Sequence, residues 1–183
     1  METNIPLNGK FEVTAAFGEI NPKLWSKAPH KHKGIDLISK ESKDSIYATC
    51  NGIVTVVGWD PEGWGRYISI QPDDNPSHRH IFAHLADGSQ RVKKGDRVTR
   101  KTVIGVMGAT GNVIGKHLHY EIRDDGVSID PSEYMGIPNK RGVYNSWDYV
   151  LKTKYQVCIT FETREAAEAF ANVFKAAAIK ESY

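Results

Sequence analysis

Cysteine is scarce in this chain of 183 residues, and the two present, Cys50 and Cys158, lie far apart. So few, so separated, exclude a disulfide framework, and Cys50 in the apolar stretch IYATCNGIVTVV reads as a small buried residue. Charge of one sign is also lacking: 24 Lys and Arg against 22 Asp and Glu leave a formal +2, too little to argue for a nucleic-acid partner. No apolar run approaches the roughly 18 residues that a membrane span requires, which argues against membrane insertion. The first thirty residues lack a basic start followed by an apolar block, so the expectation is a protein made in the cytoplasm without a signal peptide. An HExxH motif is missing too, which excludes a helix-borne zinc site with glutamate as its base. What remains, 40% hydrophobic and 25% charged residues, suits one globular domain with room for a small appendage.

Between the gaps the chain is rich in β signals. FEVTAAFG reads as one strand, flanked by turn signals at Asn8-Gly9 and Asn21-Pro22. From Gly34 to Ile70 the groups GIDLIS, SIYATC, GIVTVVGW and GRYISIQ are β-branched and aromatic, with Gly, Asp, Asn and Pro between them, which predicts short antiparallel strands. The polar QPDDNPSHRH at 71–80 predicts a loop, and IFAHL resumes the strand pattern. RVKKGDRVTRKTVIGVMGATGN predicts two short strands around a turn at Lys94 to Asp96. No amphipathic helix of ten or more residues is predicted over 11–130. Residues 137–152 read as a linker or wrapping segment after a domain at 1–136. Residues 153–183 then change period: YQVCITF alternates, and after Thr163 the apolar positions Ala166, Phe170, Val173, Phe174 and Ala177 recur at helical spacing. The fold class is mainly β, an antiparallel sheet with a small C-terminal strand-helix appendage, whose apolar faces need the first domain or a second copy of the chain.

Histidine is where chemistry concentrates. KHKGIDL, FAHL and HLHY hold four of the seven histidines and one aspartate in reach of them. His117 and His119 are two apart, hence on one strand face. His32 and Asp36 are four apart, on one side of an extended segment, with Gly34 allowing a bend or a close approach of another strand. Two neutral imidazoles and one carboxylate form a three-ligand set that leaves a fourth zinc position open, as a hydrolytic zinc needs. His30, His78 and His80 lie in polar stretches and read as solvated. Glu121 continues the face of His117 and His119, and reads either as a partner behind a ligand or as a strand-end charge.

These segments resemble the lysostaphin/LytM-type zinc endopeptidases of bacterial cell walls. The resemblance rests on HKGIDL, YATCNGIVTVVGW, FAHL, VKKGDRV, IGVMGATGNVIGKHLHYEIR and Asp130-Pro131, in unbroken order over roughly residues 30–131. It implies an antiparallel β-sheet groove and one Zn2+ per chain held by His32, Asp36 and His119, with His84 and His117 as the two catalytic histidines. Lacking a glutamate base, such a site would use an imidazole near its own pKa. His117, beside a ligand on the same face, is the expected base, and His84 the expected stabiliser of the oxyanion or donor to the leaving amine. The implied partner is peptidoglycan, and the implied reaction is hydrolysis of stem or cross-bridge peptide bonds. Two departures stand out: the stretch KLWSKAPHK lacks the tyrosine the family often shows before the first ligand, and Lys101 stands where the family commonly has glycine. The first leaves a pentaglycine preference unsupported.

The tail KYQVCITFETREAAEAFANVFKAAA resembles the first strand and helix of a SPOR peptidoglycan-binding domain, about half of one. Two tails joining into one wall-binding unit would make a homodimer. An enzyme with no visible leader that acts on the wall needs another exit, so the expected setting is a phage or prophage endolysin released through a holin-type hole. Two other readings compete: a catalytically silent wall-binding or regulatory domain on the same fold, and a lipoyl-type carrier hairpin at Lys94, whose flanking signature is absent.

Overall fold

The computed structural model describes residues 3–20, 31–41 and 44–149. The strand and helix expected over 153–183, their SPOR likeness and the dimer built on them lie outside the described residues, as does His30. In chain order the strands are β1 (Lys10–Ala15), β2 (Ile35–Ser39), β3 (Ser45–Tyr47), β4 (Gly52–Asp60), β5 (Gly65–Pro72), β6 (His78–Leu85), β7 (Arg97–Val98), β8 (Val103–Val106), β9 (Leu118–Asp124) and β10 (Val127–Ile129). A short helix α1 (Pro131–Met135), then β11 (Gly142–Asn145) and a 3-10 turn (Ser146–Tyr149), complete the described chain. No described helix is long and apolar enough to cross a membrane.

Among the described residues nine strands form one sheet in the order β11-β1-β2-β9-β6-β5-β4-β7, with β10 also on β9, and β3 pairs with β8 in a second, two-stranded sheet. The pairings of β9 with β2, β6 and β10 are all antiparallel. The expected mainly β, antiparallel architecture is therefore what the chain adopts. Residues 137–152, expected as a linker or wrapping segment, supply β11, which pairs along β1 from Gly142 to Asn145.

Strand β9 shows how the sequence builds two faces at once. Leu118, Tyr120 and Ile122 are fully buried and join Ile35, Leu37, Ile68, Ile70 and Phe82 in the core cluster, which also takes in Ile46 of β3 and Ile104 of β8. The alternate residues His119, Glu121 and Arg123 point to the opposite, groove face. Helix α1 is capped by Asp130, whose carboxylate accepts from the Ser132 amide at 2.9 Å, with Pro131 opening its first turn. Lys101, where glycine was the family's habit, has φ 70, the left-handed region glycine occupies without strain.

One expectation is overturned in β6. His80 was expected in a solvated loop, yet it is fully buried, and the loop shrinks to residues 73–77 because β5 runs on through Pro72 and β6 begins at His78. The physical reason is alternation: counted back from Phe82, His80 shares the core face. Its Nδ1 lies 3.0 Å from Thr49 Oγ1 and 2.8 Å from the Tyr120 hydroxyl, and its ring meets Tyr134 edge-on with centroids 4.6 Å apart. His78 is half-buried, its Nε2 3.9 Å from Asp124.

Burial, with the nearby His78 and Arg100, pushes the His80 pKa down from 6.5 to about 3. The unfolded chain then binds a proton between those values that the folded chain refuses, so stability is lost as pH falls from 6.5 towards 3. Urea unfolding at pH 7 and pH 4.5 should show His80→Phe losing about 2 kcal/mol less than the wild type over that interval. Equal losses would mean that His80 is protonated in the fold.

Candidate metal centre

Register brings the first two ligand candidates together. Antiparallel pairing of β2 with β9 sets Asp36 directly opposite His119, and His119 Nδ1 lies 2.9 Å from Asp36 Oδ1. His32 precedes β2, and a fully extended chain would carry it away from Asp36. A bend at Lys33-Gly34 turns it back, so that His32 Nε2 lies 3.1 Å from both Asp36 Oδ1 and His119 Nδ1. Glycine is required there: a Cβ on residue 34 would stand 2.5 Å from the Tyr120 carbonyl oxygen and 2.8 Å from His119 Cε1.

The other ring nitrogens decide what these three atoms are. His32 Nδ1 lies 3.0 Å from the Ala16 carbonyl, which only accepts, so it carries the proton and Nε2 presents a lone pair. His119 Nε2 is 3.5 Å from the Glu121 carboxylate and donates to it, which turns the Nδ1 lone pair towards Asp36. Two imidazole lone pairs and a carboxylate oxygen thus meet at one point, where only a cation satisfies all three. Ligands about 2.0–2.2 Å from a tetrahedral zinc stand about 3.4 Å from one another, close to the 2.9–3.1 Å spacings found. The donor set fits zinc.

Protons compete with a metal for the same atoms. Burial raises the Asp36 pKa, but hydrogen bonds from His119 and His32, when those faces carry a proton in a cation's place, outweigh it and hold the carboxyl far below its ordinary range. Burial disfavours a charged His119, yet Asp36 and Glu121 carry its pKa up to about 9. Glu121 is 1% exposed, and accepts from Arg123 Nε and Ser128 Oγ at 2.7 Å each. Of its two readings, the partner behind a ligand is the one the contacts support. Hydrogen bonds from His119, Ser128 and Arg123 overcome its burial and bring its pKa to about 2.

His84 and His117 stand beside this trio, their rings 4.9 Å apart, and His84 is 5.8 Å from the His119 ring. His84 reaches the groove through a bulge: on β5 a single residue separates Arg66 from Ile68, while on β6 Ala83 and His84 together separate their partners Leu85 and Phe82. Strict alternation would have left His84 on the core face with His80 and Phe82. The re-aimed residue has φ 60, strained for a histidine, and its amide donates to the Trp64 carbonyl at 2.8 Å. His84 Nδ1 donates to the Thr110 carbonyl (2.9 Å) and His117 Nδ1 to the Gly115 carbonyl (3.1 Å), so each offers Nε2 as an acceptor. His117 Nε2 is 3.7 Å from Asp36 Oδ2. Burial pushes both pKa values down, His84 to about 4.

A groove of about 600 Å³ surrounds these five residues, walled by Trp64, Asn112, Ile114, Arg123 and Arg141 among others. Sequence reasoning assigned none of these wall residues. Arg123 was within reach of it, as the next position on the face of His117, His119 and Glu121. Trp64 and Arg141 come from distant segments, Arg141 held by Glu19 in a two-pronged ion pair, and carry no local signal.

A β-sheet groove with a mononuclear metal-ligand set flanked by two acceptor imidazoles defines the class of this molecule. The chain belongs to peptidase family M23, which residues 30–131 match. It is similar to stage II sporulation protein Q of Bacillus subtilis, 35% identical over 109 residues, 58% of this chain and 37% of that protein. It is also similar to the peptidoglycan DD-endopeptidase ShyA of Vibrio cholerae, 32% identical over 119 residues, 64% of this chain and 26% of that protein. The chain thus spans well under half the length of either relative. Among solved structures, a zinc-containing peptidase from Vibrio cholerae superposes with a TM-score of 0.59 at 28% identity, over 70% of this chain and 38% of that one. The lysostaphin catalytic domain from Staphylococcus simulans shares the fold, with a TM-score of 0.58 at 24% identity over 69% of this chain and 91% of that one.

Glu121 fixes the His119 tautomer, so Glu121→Gln should weaken zinc binding about 10- to 100-fold, read by competition with a chromogenic chelator. An affinity within twofold of the wild type would leave Glu121 with a packing role only.

Proposed function

We propose that the chain is a zinc-dependent endopeptidase that hydrolyses peptide bonds of peptidoglycan stem peptides or cross-bridges. The single observation that carries this reading is the placement of two acceptor imidazoles, His84 and His117, beside three metal-competent donors in an open groove. His32, Asp36 and His119 would hold the ion. A zinc bound there supplies Lewis-acid polarisation of a carbonyl and acidification of a water.

The remaining steps belong to the chain. His117, neutral at pH 7 and with Nε2 facing the groove, takes the proton of the attacking water. Its ring is held by the Gly115 carbonyl, so the acceptor does not rotate away. His84, pushed down to about 4, is the poorer acceptor in the resting site. As negative charge develops on the carbonyl oxygen, His84 Nε2 takes up a proton from solvent and that imidazolium faces the oxyanion, while the proton His117 took from the water passes to the departing amine. The family and the likeness to ShyA support peptidoglycan as the substrate.

The likeness to stage II sporulation protein Q, whose name carries no peptidase, favours the competing reading of a wall-binding or regulatory domain. The intact set of His32, Asp36, His84, His117 and His119 weighs against it. Digestion of purified sacculi by the zinc-loaded protein, with fragments identified by mass spectrometry, tests the choice. New amine ends should appear, vanish with a chelator, and fall about 10²- to 10⁴-fold in His117→Ala, while that variant keeps its zinc. Zinc bound without release from several wall types would establish the binding role instead.

A further inference from the structure

Arg123 is a part-buried cation whose terminal nitrogens the hydrolytic constellation leaves unused. Its Nε donates to Glu121, and its guanidinium lies 4.8 Å from the Trp64 ring centre, so the fork is fixed in the groove wall. Among the described residues neither terminal nitrogen of that fork has a hydrogen-bond partner. Directly across the sheet, β6 places Arg79 opposite Arg123, so two cations share one face of the strand pair. Like charges in that position repel, and Arg79 donates only to backbone carbonyls of Pro76 and His78 among the described residues. The local charge asks for an anion. Glu121 meets Arg123 through Nε alone and Asp36 is held by His32 and His119, so among the described residues no carboxylate bonds to the terminal nitrogens of the fork.

Position says which anion. Glu121 touches His119 with one oxygen and Arg123 with the other. One carboxylate therefore separates the fork from the metal-facing ligand, and a group on a residue flanking a scissile amide at the metal centre comes within reach of it. A planar fork with two parallel donors matches a carboxylate.

We propose that Arg123, backed by Trp64, forms a carboxylate subsite that selects peptide substrates bearing a free carboxylate on a residue joined by the scissile amide, over glycine bridges or amidated peptides. This rests on the endopeptidase reading, and deepens it by naming the substrate feature recognised.

The test uses two peptides identical except that the residue on the amine side of the scissile amide ends in a carboxylate or in a carboxamide. The zinc-loaded wild type should favour the carboxylate by about 10- to 100-fold in kcat/KM. Assayed at saturating zinc, Arg123→Gln should bring that ratio close to one whatever it does to zinc affinity through Glu121, and Arg123→Lys should restore part of it. A residue that only supports Glu121 would slow both peptides equally, so an unchanged ratio in Arg123→Gln overturns the proposal. Calorimetry of both peptides on the zinc-loaded His117→Ala protein gives a second readout that needs neither turnover nor a folded Arg123 variant. Tighter binding of the carboxylate form supports the subsite even where neither peptide is cleaved, an outcome that would sink the endopeptidase reading alone, whereas equal binding of the two overturns the subsite.

Discussion

Antiparallel pairing of β2 with β9 sets Asp36 against His119, and most of the groove follows from that one register. A slip of a single residue would turn His119 and Glu121 into the core and Leu118 and Tyr120 out of it. The core therefore enforces the site: the same strand that buries Tyr120 and Ile122 holds His119 and Glu121 on its other face, with His117 just before it. Gly34 is the condition for this pairing, because any side chain there would strike the Tyr120 carbonyl and the His119 ring.

Taking charge out of water at this point costs free energy unless each group is paired. The chain meets that condition by linking its charges in series. Ala16 orients His32, Glu121 orients His119, and Arg123 and Ser128 hold Glu121. What remains unmet is a meeting of lone pairs at the centre and, at the edge of the same face, the terminal nitrogens of Arg123 opposite Arg79. The first calls for a metal cation and the second for an anion.

Much of this was legible in the residues alone. The period-two pattern revealed that His117, His119 and Glu121 share a face, and the histidine spacing singled out the five residues that converge. Polar composition misplaced His80: the run QPDDNPSHRH looked like loop, yet a strand that starts at His78 carries His80 by alternation into the core beside Thr49 and Tyr120. Alternation applied strictly would also have misplaced His84, which faces the groove only because Ala83 and His84 together oppose one residue of β5. Bulges depend on the partner strand, so no local pattern announces them.

Sequence by itself determined the class of the fold, the two-faced character of β9 and the identity of the residues that meet in the groove, because residue type and period two are properties of a single strand. Tertiary structure decided the rest: that Glu121 lies behind His119, that Trp64 and Arg141 wall the groove from distant segments, and that Arg123 faces Arg79. Those facts depend on which strands lie side by side and in what register, and register is settled by the burial of the whole core at once.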